Sequence, residues 1–87
     1  MYRFFLYFLS RDRATHAAGA LQGAGYATWD IRPGWDDPFT RVELRRELAR
    51  DELPAAVAWL TEQARAFDGE YGSCELGESA ETAESQR

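Results

Sequence analysis

Few residues in this 87-residue chain could do chemistry, because it holds only one histidine, His16, and one cysteine, Cys74. Nucleophilic catalysis by a thiol–imidazole pair needs the two side chains within hydrogen-bond reach. The sequence pattern instead places His16 on the polar side of a helix and Cys74 on a strand that faces elsewhere. There is also no nucleophile elbow, glycine-rich phosphate loop or H-E-x-x-H motif. We therefore predict no enzyme activity, an exposed His16 and a Cys74 that acts as a small core residue.

The acidic residues do not predict a metal site or a cofactor. Asp36 and Asp37 are adjacent in a loop rich in proline and glycine, but no third oxygen donor follows closely. Calcium and magnesium sites need more oxygen ligands than this, so we interpret the pair as a solvated turn. One cysteine and one histidine cannot supply a zinc site of the usual spacing. The sequence predicts no cofactor.

The element that must position any site is the strand predicted over residues 2–9. This stretch carries five of the twelve aromatic side chains and is apolar on both faces, which is typical of a central strand. Alternate side chains of a strand face opposite sides. One face would hold Phe4, Leu6 and Phe8, and the other Phe5, Tyr7 and Leu9.

The other elements follow from periodicity and capping residues. They are a helix over 11–22 after the N-cap Ser10, a strand over 26–32, a strand over 39–49, a helix capped by Asp51 with Pro54 in its first turn, and a strand over 70–76. In the second strand, Ala27, Trp29 and Ile31 are expected to face the core. In the last, Gly72, Cys74 and Leu76 alternate with Tyr71, Ser73 and Glu75.

Residues 39–49 are ambiguous, because their composition favours a helix. A helix would place Arg41 beside Arg45 and Glu43 beside Glu47, and like charges four residues apart are destabilising. A strand would instead make these four residues a charged ladder opposite an apolar face, interrupted only by Arg46. We predict the strand.

The resulting order, βαββαβ, predicts an α+β ferredoxin-like fold over residues 1–76. Such a fold has a four-stranded antiparallel sheet with both helices on one face and strands 1 and 3 in its centre. The other face of the sheet would be open. Exposed aromatic patches on sheets are common association surfaces, so we predict a partner-binding site there. Its candidate residues are Phe5, Tyr7, Leu9, Glu43, Arg45 and Trp35.

Trp35 is a candidate for a different reason, since it lies in the polar loop between the second and third strands. A tryptophan in such a loop either folds back over the edge of the core or contacts a partner. Both interpretations stay open at the level of sequence.

The charge of the chain argues against general binding of nucleic acid. The formal net charge is −5 and all ten basic residues are arginine, a usage that fits a GC-rich bacterial genome. Residues 68–87 carry six acidic side chains against Arg87, so residues 1–67 are neutral overall. Proteins that bind nucleic acid usually have a basic surplus.

The N-terminal sequence and the cysteine content predict a cytoplasmic protein. A single cysteine cannot form an intramolecular disulfide, which fits a reducing compartment. The apolar N-terminal run is short, aromatic and followed at once by charges, unlike a secretory signal. No segment approaches the roughly 20 apolar residues of a membrane span. Residues 77–87 are small, acidic and free of aromatics, and we expect a disordered tail there.

Several stretches resemble the bacterial regulator of ribonuclease E activity B family. They are Phe4–Leu9 followed by a charged helix start, Ala17–Ala18 to Leu21, the Gly25–Tyr26 turn and Asp68–Gly72 after an amphipathic helix. Cys74 stands where the family generally has a bulky aromatic residue. The resemblance implies a ferredoxin-like fold and a non-enzymatic inhibitor that binds a ribonuclease E-type endoribonuclease. The resemblance does not identify any individual binding residue in this chain.

Three functions are therefore considered. The first is inhibition of a ribonuclease E-type enzyme by direct binding, which would modulate RNA processing and decay. The second is a self-associating module, such as a homodimer, or a module that binds a small ligand. The third is binding of single-stranded RNA through aromatic side chains of the open face.

Overall fold

The computed structural model describes residues 1–33 and 39–76. Its strands are β1 (Tyr2–Phe8), β2 (Ala27–Pro33), β3 (Thr40–Arg46) and β4 (Gly69–Leu76). Its helices are α1 (Arg11–Gly23) and α2 (Leu53–Ala66), with a short 3-10 turn at Arg50–Glu52 just before α2. The predicted order βαββαβ is confirmed.

The four strands form one sheet in the order β2-β3-β1-β4, and all neighbours pair antiparallel. β1 and β3 are central, and both helices pack on the same side of the sheet. This is the predicted α+β ferredoxin-like fold. Most of the ambiguous third segment is a strand, as its alternating charges indicated, but the strand ends at Arg46 rather than at residue 49.

The core lies between β1 and the two helices. Phe4, Leu6 and Phe8 are fully buried on the helix side of β1. The face of α1 beneath them is made of small side chains, which lets the helix lie close to bulky strand residues. The other fully buried core residues are Ala14, Ala17, Leu21, Tyr26, Val42, Leu44, Leu60 and Ala64. Burying each large side chain contributes about 1.5–3 kcal/mol.

The start of α1 agrees with prediction and the start of α2 does not. The Ser10 hydroxyl accepts a hydrogen bond from the Arg13 backbone N–H at 3.2 Å. Asp51, predicted to cap the second helix, lies within the 3-10 turn instead. Its neighbour Glu52 accepts a hydrogen bond from the Ala49 N–H at 2.8 Å. That bond stabilises the tight turn and moves the start of α2 to Leu53.

Each edge strand contains a β-bulge, which changes the side of the sheet to which some of its side chains point. In β2, Thr28 pairs with Leu44 and Asp30 with Glu43, which leaves Trp29 as an extra residue. The prediction that Ala27 and Trp29 face the core is wrong, since Ala27 is exposed opposite Arg45 and Trp29 is exposed as well. Ile31 does pack against the core, as predicted. The extra residue reverses the alternation within the strand.

In β4 the extra residue is Gly72, since Tyr71 pairs with Leu6 and Ser73 with Phe5. Tyr71 and Cys74 consequently both face the helices, whereas simple alternation had put them on opposite sides. The wrong assignment has the same physical cause as the one in β2.

Several predictions concern residues outside the described ranges. These are Trp35, the pair Asp36–Asp37 and the acidic tail at 77–87. In the part of the chain that is described, no helix is both long and apolar enough to cross a membrane.

Gly69 gives a direct test of the packing of β4 on β1. A Cβ atom at Gly69 would lie 2.5 Å from the carbonyl oxygen of Tyr7 and would also clash with the Phe8 ring. We expect Gly69→Ala to lower the free energy of unfolding by about 1–3 kcal/mol, as measured by urea denaturation.

Gly19→Ala is the matched control, because a Cβ there meets nothing within 4 Å on the exposed side of α1. Alanine is the better helix former, so this variant should gain up to about 1 kcal/mol. Equal stabilities for the two variants would contradict the packing described for Gly69.

Candidate functional site

The candidate site is the face of the sheet that the helices do not cover. We call it the open face and define it by residues of all four strands. They are Arg3, Phe5 and Tyr7 of β1, Trp29 and Asp30 of β2, Arg41, Glu43 and Arg45 of β3, and Ser73 and Glu75 of β4. The register places Phe5 opposite Glu43, Tyr7 opposite Arg41 and Arg3 opposite Arg45. Phe5, Tyr7, Glu43 and Arg45 therefore share one face, as predicted.

Phe5 lies on the open face but offers little surface, since only 7% of it is exposed. The guanidinium carbon of Arg41 lies 5.1 Å from the centre of the Phe5 ring, and that of Arg3 lies 6.0 Å away. A guanidinium group over the face of an aromatic ring is attracted by the ring and shields it from water. Phe5 is thus the floor of the open face rather than a contact residue.

Tyr7 is half-buried, and its ring packs over the bulge of β4. A Cβ atom at Gly72 would lie 2.9 Å from Cδ2 of Tyr7. The absence of a side chain at Gly72 thus lets the Tyr7 ring lie close against the strand. Leu9 lies beyond the end of β1 and is 53% exposed. Trp35 is outside the described residues.

The structure adds one residue that sequence reasoning missed. Trp29 is 61% exposed, and the guanidinium carbon of Arg45 lies 3.7 Å from the centre of its ring. Arg45 points away from the helices, so Trp29 stands on the open face. The alternating pattern of residues 26–32 had predicted that Trp29 faces the helices, and nothing in that pattern indicates the bulge.

Arg45 also forms an ion pair with Glu43, which lies beside it on β3. Its Nε donates to Oε2 of Glu43 at 2.9 Å, and Glu43 is itself buried. A buried carboxylate needs such a partner, because an unpaired one is costly. Glu43 therefore fixes the guanidinium that stacks on Trp29, and the three side chains form one connected unit.

The charges of the open face are largely paired. Arg3 donates to Glu75 at 2.8 Å, and Arg32 pairs with Asp30. Within residues 1–33 and 39–76, Arg41 has no carboxylate partner and lies over Phe5 instead. Exposed ion pairs add little stability, but they leave no basic surplus of the kind that attracts RNA.

The titratable residues that sequence analysis singled out lie apart. His16 is exposed on α1, its ring 5.6 Å from that of Phe67, whereas Cys74 lies on β4. The described part of the chain holds no group of three or more His, Cys, Asp or Glu side chains arranged for a metal ion.

Cys74 and Tyr71 meet on the helix side of β4 because of the bulge. Partial burial raises the pKa of the Cys74 thiol, while a hydrogen bond from Tyr71 lowers it and the nearby Glu75 raises it. Partial burial, followed by the charge and hydrogen bond of Cys74, raises the pKa of Tyr71 to about 12. Both groups are neutral at physiological pH, so the thiol is a poor nucleophile there.

Comparison with known proteins finds no matching family model, no matching curated protein and no matching solved structure. The resemblance noted in the sequence stays a prediction.

The open face predicts losses of stability of very different size for two aromatic residues. Phe5→Ala removes a buried ring and should lower the free energy of unfolding by about 3–5 kcal/mol. Trp29→Ala removes an exposed ring stacked on an arginine, which contributes about 0.5–1 kcal/mol. Urea denaturation of both variants tests this, and equal losses would mean that the burial assigned to Phe5 is wrong.

The contact between Tyr71 and Cys74 predicts how the thiol reacts. Because the Tyr71 hydrogen bond lowers the pKa of Cys74, Tyr71→Phe should move the midpoint of its reaction with a disulfide reagent to higher pH. Tyr7→Phe, on the other face of the sheet, should leave the midpoint unchanged. A midpoint that moves to lower pH in Tyr71→Phe would contradict the hydrogen bond.

Proposed function

We propose that this chain is a non-enzymatic regulatory protein that binds a protein partner through the open face. The observation that carries the proposal is the exposed Trp29 with the Arg45 guanidinium stacked on it at 3.7 Å. Interface residues that dominate binding energy are enriched in tryptophan, tyrosine and arginine. Trp29, Arg45 and the half-buried Tyr7 supply all three types on one face.

The way these side chains are held supports binding rather than folding as their role. Trp29 is not part of the core, so its exposed ring is not needed to fill space. Arg45 is fixed by the buried Glu43 and loses little freedom when a partner covers it. Side chains that are ordered before binding lower the entropic cost of association.

The partner we propose is a ribonuclease E-type endoribonuclease, whose processing of RNA the chain would inhibit. This choice rests on the sequence resemblance, and the ferredoxin-like fold agrees with what that resemblance implies. The paired charges of the open face favour a protein over RNA, because RNA binding depends on cationic groups that are free to meet phosphates. The protein would act by stoichiometric binding in a bacterial cytoplasm.

Trp29→Ala tests the proposal. Wild-type protein should co-purify with the host ribonuclease E-type enzyme and slow its cleavage of a single-stranded RNA. Loss of a dominant interface tryptophan costs 2 kcal/mol or more, so the variant should bind about thirtyfold more weakly. The measurements are titration of the cleavage rate and a pull-down with purified enzyme.

Leu76→Ala is the matched control. Leu76 is 62% exposed, nearly the same as Trp29, but it pairs with Tyr2 and faces the helix side of the sheet. This variant should inhibit like wild type. Equal losses in both variants would place the interface elsewhere.

Two further outcomes would replace the proposal with its alternatives. A dimer in solution that dissociates on Trp29→Ala, without binding of the enzyme, would make the open face a self-association surface. Direct, salt-dependent binding of single-stranded RNA that is lost on Tyr7→Ala would make it an RNA-binding surface.

A further inference from the structure

A second site lies on the helix side of the sheet, away from the open face. It is a groove of about 350 Å³ between the end of α1, the end of β3 and the start of α2. Its lining is Ala24, Tyr26, Arg46, Leu48, Glu52 and Trp59, with two alanines of α2. Pockets for small ligands typically measure about 300–1,000 Å³, so this groove suits a small molecule at the lower end of that range.

One wall of the groove is a fixed aromatic surface. The rings of Tyr26 and Trp59 are stacked, with centres 5.6 Å apart and planes inclined by 12°. Tyr26 is buried and also packs edge-on against the core residue Phe4 at 5.7 Å. Trp59 is only partly buried. It therefore offers a flat apolar surface whose orientation is set by the core behind it.

Arg46 supplies a cation in a fixed position. Its guanidinium carbon lies 4.8 Å from the centre of the Tyr26 ring, and its Nη1 donates to the Ala24 carbonyl at 3.4 Å. A Cβ atom at Gly25, which has a φ of 100°, would lie 3.6 Å from the same carbon. The guanidinium is thus held between an aromatic ring and the turn after α1. Among the described residues it has no carboxylate partner, and its other N–H groups are free to donate.

Glu52 places an anion in the same groove. One of its carboxylate oxygens accepts from the Ala49 N–H, which fixes the side chain at the turn before α2. Glu52 and Arg46 both line the groove but form no ion pair with each other. A cation and an anion in one apolar groove are complementary to a zwitterionic ligand, which carries both charges.

We propose that this groove binds a free α-amino acid with a flat or branched apolar side chain. The ligand carboxylate meets Arg46, whose planar fork matches a carboxylate in two parallel hydrogen bonds. The ammonium group meets Glu52. The side chain lies against Trp59 and Leu48, which removes apolar surface from water.

Arg46 is also the residue that interrupts the alternating charges of the third strand. It pairs with Tyr2, so its side chain leaves β3 on the helix side, whereas Arg41, Glu43 and Arg45 leave on the open face. A charged residue at this position has no role on the open face. The proposed ligand gives it one.

The test is calorimetric titration of the full chain with L-phenylalanine, with amide shifts recorded by NMR. Two analogues each remove one charge: the methyl ester lacks the carboxylate and the N-acetyl derivative lacks the ammonium group. Each should bind about tenfold more weakly or worse, as expected for loss of a charge-assisted contact. The shifts should centre on Tyr26, Arg46 and Trp59.

Variants that remove one charge from the protein should have the same effect on binding as analogues that remove the matching charge from the ligand. Arg46→Met keeps the apolar stem, weakens phenylalanine binding about tenfold and no longer distinguishes phenylalanine from its methyl ester. Glu52→Gln keeps an acceptor for the Ala49 N–H and no longer distinguishes phenylalanine from its N-acetyl derivative. Arg50→Gln, in the same turn but outside the groove, is the control and should bind like wild type.

Three results would overturn the proposal. They are unchanged spectra at millimolar phenylalanine, equal affinity for phenylalanine and its methyl ester, or shifts that centre on the open face. Trp29→Ala should retain phenylalanine binding, since its ring is on the other side of the sheet. Failure of this site is therefore separable from failure of the partner-binding function.

Discussion

The central strand β1 is apolar on both faces, and the rest of the structure has to cover both of them. Phe4, Leu6 and Phe8 are covered by the helices in the usual way. Phe5 is covered by Arg3 and Arg41, whose guanidinium groups lie over its ring. The open face is therefore a thin polar layer over an aromatic floor, and the arginines on it serve packing as much as charge.

This arrangement changes what an exposed sheet face offers to a partner. The aromatic side chain at its centre is already buried, while the accessible one stands at the edge, on β2. Arg45 connects the two regions, because it contacts the buried Glu43 and the exposed Trp29 at the same time. A partner that covers Trp29 would also desolvate this ion pair, so the Glu43–Arg45 bond would strengthen on binding.

Sequence reasoning predicted the fold, the faces of β1 and the strand character of the third segment, because each depends on periodicity over several residues. It did not predict the side of Trp29 or the meeting of Tyr71 with Cys74. Both depend on one extra residue in a strand, which reverses alternation without changing composition. The start of α2 was displaced because Glu52 stabilises a 3-10 turn, where Asp51 had looked like an ordinary cap.

The groove beside Arg46 could not be predicted from the sequence either, for a different reason. Its walls come from residues more than 30 positions apart, Tyr26 and Trp59 among them, and no local pattern brings them together. What the sequence did contain was an irregularity, a charge on the apolar side of the third strand. Such a local inconsistency with the fold often marks a functional position.

The two bulges have a consequence for how copies of the chain can meet. Both extra residues, Trp29 and Gly72, lie in the two strands that form the edges of the sheet. An edge strand with a regular ladder is a template for another chain, and a bulge breaks that ladder. A bulge in each edge strand therefore disfavours edge-to-edge pairing of two copies on both sides of the sheet.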